Sequence, residues 1–381
     1  MHVAELTGRD PRSGRSLRVV AYDGIVARIE EISTESDLYL SAGFVDLQVN
    51  GFSGFDVNAA NLSVETIVGL TDVLLRHGVT CFVPTIITAA EAGICNALRV
   101  IANSRELFPR VADCVPYVHV EGPHISSLDG YRGAHRAEFV RAPSIAEFER
   151  WQAASDGLVG MMTLSPHYPD SAEYIAHLSR RGVHVALGHT HARPEQVKRA
   201  VDAGARLSTH LGNGIAAEIP RHGNPLWSQL ADDRLTATVI ADGHHLPPEL
   251  LKVILRAKSV ERTVLVSDSV ALAGMAPGMY ETPVGGRVEL RADGRLCLHG
   301  TELLAGSTAS LPGCVSTVVR TLEASLPDAL AMATTNPGRF ASGRGKLAVG
   351  CAADLVRFRW NERIEIEDVW LRGERVYART E

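Results

Sequence analysis

Eight short apolar runs recur through the middle of this chain, at residues 44–49, 80–85, 115–120, 158–164, 182–187, 205–209, 237–241 and 262–266. Stretches with helical character lie between most of them, as at 63–77 and 194–203. Strands that alternate with helices pair in parallel through crossover connections. Eight such units within roughly 280 residues predict an α/β fold, a closed (β/α)8 TIM-like barrel, with a doubly wound open sheet as the structural rival. The two ends of the chain read differently. Residues 16–20 and 24–29 are rich in β-branched side chains around the turn Asp23-Gly24, and 353–358 and 369–371 repeat that texture. Chain ends often lie close together, so residues 1–42 and 343–381 are expected to form one small β-sandwich domain, with the barrel over 43–342. One segment breaks the rhythm. Residues 284–298 carry Gly285-Gly286 and Asp293-Gly294 between strand-like residues, which predicts a β-hairpin inserted after the eighth strand, near 280–300.

Composition narrows the class. The charged fraction of 22 % and hydrophobic fraction of 45 % are those of an ordinary soluble protein. No apolar run is long enough for a membrane span, and the N-terminus lacks the basic and apolar segments of a signal peptide. A net charge of −6 without a basic stripe argues against nucleic acid as partner, while leaving room for one small phosphate in a local pocket. The cysteines have no CxxC spacing, so they are expected as reduced thiols in a cytoplasmic protein.

In a barrel of this kind chemistry gathers at the C-terminal strand ends. There the third run ends in Glu121, the fifth in His189, the sixth in His210 and the eighth in Asp268. One carboxylate and two imidazoles suit zinc or a similar divalent ion, with positions left for water and substrate. Singly, each histidine reads as well as a satisfied core residue; the recurrence at four of the eight strand ends favours the site. Asp268 is placed to take a proton from water and pass it to a leaving amine. Asn213-Gly214 follows His210 and offers an amide and accessible backbone. Arg221 and His245 suit an anion, and His135 suits a donor to a carbonyl oxygen. An ordinary surface arginine and loop histidines are the bland alternatives.

These motifs, taken in order, resemble the N-acetylglucosamine-6-phosphate deacetylase family of the amidohydrolase superfamily over almost the whole chain. The resemblance rests on Gly43-Phe44-Val45-Asp46-Leu47-Gln48-Val49-Asn50-Gly51, His119-Val120-Glu121-Gly122-Pro123, Gly188-His189-Thr190, Thr209-His210-Leu211, Ala241-Asp242-Gly243-His244-His245 and Val266-Ser267-Asp268. It rests also on the returning stretch Gly345-Lys346-Leu347-Ala348-Val349-Gly350 with Ala353-Asp354-Leu355. It implies a deacetylase, usually a homodimer. Glu121, His189 and His210 hold the metal, Asp268 serves as base and then acid, and His135 assists. Asn213, Gly214, Arg221 and His245 face the substrate. Gln48-Val49-Asn50 stands where many relatives carry His-x-His, and no lysine falls at the fourth strand end. One divalent metal is therefore expected, zinc by default, with iron, cobalt and manganese compatible. The chain departs from the family at Asn213-Gly214-Ile215, at Arg221-His222-Gly223-Asn224-Pro225 and at His244 beside His245. All three departures lie on the substrate side. N-acetylgalactosamine phosphate, an unphosphorylated acetylated amino sugar or another small amide is the alternative substrate. A noncatalytic binding scaffold is the reading from a different class.

Overall fold

The computed structural model describes residues 2–282 and 286–380. Eight strands form one sheet: Phe44–Val49, Val79–Ile87, Val118–Glu121, Val159–Leu164, His184–Leu187, Leu207–Ser208, Thr236–Val239 and Thr263–Leu265. Neighbours follow chain order and every pairing is parallel. A parallel bridge between Val49 and Ser269 brings the first and last strands together and closes the barrel. The fold class is the expected one, though several strands are shorter than their apolar runs. The third begins at Val118 rather than 115, because the helix Pro109–Cys114 runs up to its Val115 cap.

The strand residues explain the barrel's filling. Val45, Leu47, Cys81, Val83, Met161, Ala186, Leu207, Ile240, Val264 and Val266 pack together inside it, contributed by seven strands. Above them comes a hydrogen-bonded layer. His119 Nε2 lies 2.8 Å from Thr163 Oγ1, which lies 2.7 Å from Thr209 Oγ1. All three are buried, so their mutual bonding avoids the cost of orphaned polar groups. The outer faces of the strands bury Phe82, Val120, Leu164, Val185 and Val239 against the helices. Helix starts carry the usual signals: Ser63, Ser144, Asn224 and Ser310 accept from backbone N–H groups of the first turn.

Both ends of the chain build the second unit, a small β-sandwich. Its sheet has seven strands, four from the N-terminus and three from the C-terminus. Tyr39–Ala42 pairs antiparallel with Leu355–Trp360 and joins the two sets. The sheet curls round its own core of Leu6, Val19, Val26, Leu40 and Leu355. Ile25 bridges to Ala352, bringing the far edge back. After the eighth barrel strand the structure has a three-stranded antiparallel sheet, Gly278–Thr282, Gly286–Leu290 and Leu296–Leu298. The expected hairpin is thus part of a larger insertion, and its Val284 and Gly285 lie outside the described residues. The six cysteines are free, four of them buried. Among the described residues no helix is long and apolar enough to cross a membrane.

Candidate metal centre

Three side chains converge at the C-terminal mouth of the barrel. Glu121 is the last residue of the third strand, His189 follows the fifth and His210 the sixth. His189 Nε2 lies 3.2 Å from Glu121 Oε1, and His210 Nε2 lies 3.0 Å from the same oxygen. One donor atom from each residue falls within 4.8 Å of the others, and all three residues are buried. The backbone is bent to achieve this. His189, His210 and Asp268 have φ of 48°, 28° and 48°, in the left-handed region that non-glycine residues rarely enter. Such conformations cost of order 1–3 kcal/mol each and persist where surrounding structure enforces them. Gly214 helps to make the room: with φ +59°, a Cβ there would sit 2.7 Å from His189 Nδ1.

The arrangement fits a divalent cation. His189 Nδ1 lies 2.9 Å from the Tyr131 carbonyl, which can only accept, so Nδ1 carries the hydrogen. That leaves Nε2 as the nitrogen facing the Glu121 carboxylate oxygen, where a shared cation would accept both. Fixing a ligand histidine through its other nitrogen is the usual outer support of a metal site. Ligand atoms on a tetrahedral ion with bonds of about 2.0 Å lie about 3.3 Å apart, close to the spacing here. Gln48 Nε2 donates to Glu121 Oε2 at 3.0 Å and so aims the other oxygen. His210 Nδ1 is buried without a hydrogen-bond partner among the described residues. The cluster can hold a divalent metal.

Two further groups flank it. Asp268 follows the eighth strand, and Asn50 Nδ2 donates to its Oδ1 at 2.7 Å. Burial and the negative charge of Glu121 push the Asp268 carboxyl up to about 6. A carboxylate raised in this way and beside a metal cluster is suited to proton transfer near neutrality. His135 packs edge-on against His189, ring centroids 4.4 Å apart, with its Nδ1 2.8 Å from Thr88 Oγ1. Burial, then the neighbouring His189, push His135 down to about 3, so it stays neutral. Either His135 Nδ1 or the Thr88 hydroxyl can be the donor of that bond, according to the imidazole tautomer, and the same hydroxyl donates to the Glu121 carbonyl at 3.5 Å.

Comparison with known proteins follows this geometry. The Amidohydrolase family matches residues 39–376 of the chain. The chain belongs to the amidohydrolase family. It is 30 % identical to the N-acetylgalactosamine-6-phosphate deacetylase of Escherichia coli O157:H7, over 92 % of each chain. It is 32 % identical to the N-acetylglucosamine-6-phosphate deacetylase of Mus musculus, covering 90 % of this chain and 84 % of that one. Among solved structures, a mutant N-acetyl-D-glucosamine-6-phosphate deacetylase of Mycobacterium smegmatis in complex with N-acetyl-D-glucosamine-6-phosphate superposes with a TM-score of 0.84 at 28 % identity, over 95 % of each chain. Within the amidohydrolases, the chain falls in the N-acetylglucosamine-6-phosphate deacetylase family.

On the substrate side of this amidohydrolase the expected residues are less closely gathered. Asn213 Nδ2 donates to the His210 carbonyl at 3.2 Å, and Gly214 lies against the His189 ring. His245 is held by Asp242, with Nδ1 2.7 Å from Oδ2, while Oδ1 accepts from the backbone N–H of His244 and His245. Arg221 is exposed, and its guanidinium has no partner among the described residues. Sequence reasoning took Gln48 and Asn50 only as replacements for metal ligands. In the structure they orient Glu121 and Asp268. Thr88, which supports His135, was missed altogether. It sits just past the second strand, Val79–Ile87, a strand end that carries no ligand-type residue to draw attention.

Proposed function

We propose that this amidohydrolase removes the N-acetyl group of an amino sugar phosphate, N-acetylglucosamine 6-phosphate first, giving acetate and the free amino sugar phosphate. The observation that carries the reading is the convergence of Glu121, His189 and His210 on one point, beside the separate carboxylate Asp268. The names of the relatives at 30 % and 32 % identity support the substrate class. Glu121, His189 and His210 hold one divalent ion, zinc by ligand type, which when bound supplies a Lewis acid that acidifies water and polarises a carbonyl. Asp268 accepts a proton from the attacking water as its oxygen bonds to the acetyl carbon. The carbon–nitrogen bond then breaks, and Asp268 returns the proton to the departing amine. Asn50 holds Asp268 in place for both transfers. His135 donates from Nε2 to the oxygen on which negative charge develops. Asn213 and Gly214 position the sugar, and Arg221 and His245 grip the phosphate, Arg221 through its planar fork. A homodimer in the cytoplasm completes the proposal, the six free thiols supporting a reducing compartment.

Acetate release from N-acetylglucosamine 6-phosphate, N-acetylgalactosamine 6-phosphate and unphosphorylated N-acetylglucosamine, with bound metal and solution mass measured, tests this. We expect the first to give the highest kcat/KM and loss of phosphate to cost roughly 100-fold or more. No acetate from any of the three with the metal site filled would defeat the reading. The galactosamine compound is kept as the second reading because the Escherichia coli relative matches over 92 % of each chain.

A further inference from the structure

The metal cluster does not touch a second cavity of the molecule. That cavity is a groove of about 640 Å³ between barrel and β-sandwich, within the size range of small-molecule sites. One wall is the first part of the helix Leu311–Leu322, another the end of the helix Val64–Arg76. The C-terminal strands Ile364–Leu371 and Glu374–Ala378 supply the rest, with Ile364 and Tyr377 as apolar surface.

Four arginines line it: Arg76, Arg320, Arg363 and Arg379. Only Arg379 has carboxylate partners, Glu365 at 3.0 Å and Glu367 at 3.9 Å. The other three make no ion pair among the described residues, although arginines elsewhere on the surface commonly do. The one acidic residue of the lining, Asp242, has both oxygens engaged by the His244–His245 backbone and the His245 ring. In a chain of net charge −6, three guanidinium groups without a carboxylate partner among the described residues thus line one concavity. Guanidinium groups brought together without counter-charges repel one another, and a phosphate relieves that repulsion while matching their planar donor forks.

We propose that this groove is a second binding site, for a small phosphorylated molecule, separate from the pocket over the metal cluster. Its floor residue Asp242 is the one that holds His245, so the groove backs directly onto the substrate side of the barrel.

Calorimetric titration of the metal-loaded protein with inorganic pyrophosphate tests the site. ADP and glucose 6-phosphate serve as further arms, separating a nucleotide from a sugar-phosphate source. The variants are the double substitution Arg320→Ala with Arg363→Ala and, separately, Arg221→Ala. Arg320 and Arg363 are both exposed, so folding is not at stake, and the thermal midpoint checks this. We expect pyrophosphate affinity at the groove to fall about 10-fold or more in the double variant and to survive in Arg221→Ala. Added salt should weaken it in the wild type. Unchanged affinity in the double variant overturns the proposal, as does a wild type that binds no pyrophosphate. Loss on Arg221→Ala alone also overturns it, by locating all anion binding over the metal cluster, and leaves the deacetylase reading standing.

Discussion

Two buried charged clusters occupy opposite ends of the barrel, and they are finished differently. At the N-terminal end Arg344 lies 2.5 Å from Asp354 and donates to the carbonyls of Asp113 and Thr80. Asp354 Oδ1 accepts from the Arg372 backbone at 2.9 Å, so the pair ties barrel strands to the β-sandwich. Opposite charges face each other there, although Arg344 Nε and Asp354 Oδ2 are without a hydrogen-bond partner among the described residues. At the C-terminal end Glu121 meets two imidazoles and, among the described residues, no lysine or arginine; His210 Nδ1 and Asn50 Oδ1 have no hydrogen-bond partner among those residues, and three non-glycine residues have positive φ. The first cluster balances its charge with groups of the chain alone. The second sets its carboxylate against imidazoles that could share a cation, and the strain there is of the kind that proteins keep at working sites.

If that contrast holds, substitutions at one end should change rate and at the other stability. The largest effect is expected for Asp268→Asn. The amide cannot accept the proton, so kcat should fall by about 10²- to 10⁴-fold, with bound metal and thermal midpoint nearly unchanged. Metal analysis and steady-state kinetics on the same preparation decide it; a rate within a few-fold of wild type would remove Asp268 from the proposed chemistry. Next comes Arg344→Met, which leaves Asp354 buried and unpaired. Breaking a buried pair from one side costs about 3–5 kcal/mol. A urea denaturation midpoint should drop accordingly while kcat per folded molecule stays at the wild-type value. A loss of rate without a loss of stability would erase the distinction between the two ends.

The sequence made one half of this comparison legible and hid the other. The barrel followed from eight apolar runs, because burial of strands on both faces leaves near-continuous hydrophobic stretches. Glu121, His189, His210 and Asp268 were visible because ligand-type residues recur at four of the eight strand ends. Their outer partners were not visible. Leu47 packs inside the barrel and strict alternation would turn the next side chain outward, yet Gln48 reaches Glu121. The pairing of the first and second strands slips between Asp46 and Val49, and no periodicity announces such an irregularity. Arg344 and Asp354 were equally hidden: each contacts groups far away in sequence, and neither sits in a spacing that marks a pair. The insertion after the eighth strand was half seen, since turn residues mark a hairpin but say nothing of a third strand.

Gln48 sharpens the comparison further, since it supports a ligand rather than acting as one. Gln48→Leu removes the donor to Glu121 Oε2 and leaves the three ligands in place. Loss of such outer support typically costs 10–100-fold in metal affinity. Competition with a chelator should show a weakened site, and saturating metal should restore much of the activity. Affinity equal to wild type would mean that the triad is held by packing alone.

The smallest effect concerns Asp46, which lies between the two ends and belongs to neither. It is buried, and its carboxylate accepts from the backbone N–H of Ser267 at 3.2 and 3.3 Å and of Gln48 at 3.3 Å. Burial outweighs these bonds and pushes the group from its ordinary 3.8 up to about 7. Between those values the folded chain holds a proton that the unfolded chain has released. Stability from this group is therefore whole below about pH 4 and declines as pH rises to about 7, with a slope of at most about 1.4 kcal/mol per pH unit. Asp46→Asn cannot titrate, so the denaturation midpoint of the variant should fall less steeply across that window than that of the wild type. Identical slopes would mean that Asp46 is ionised in the fold, its charge carried by the two backbone donors.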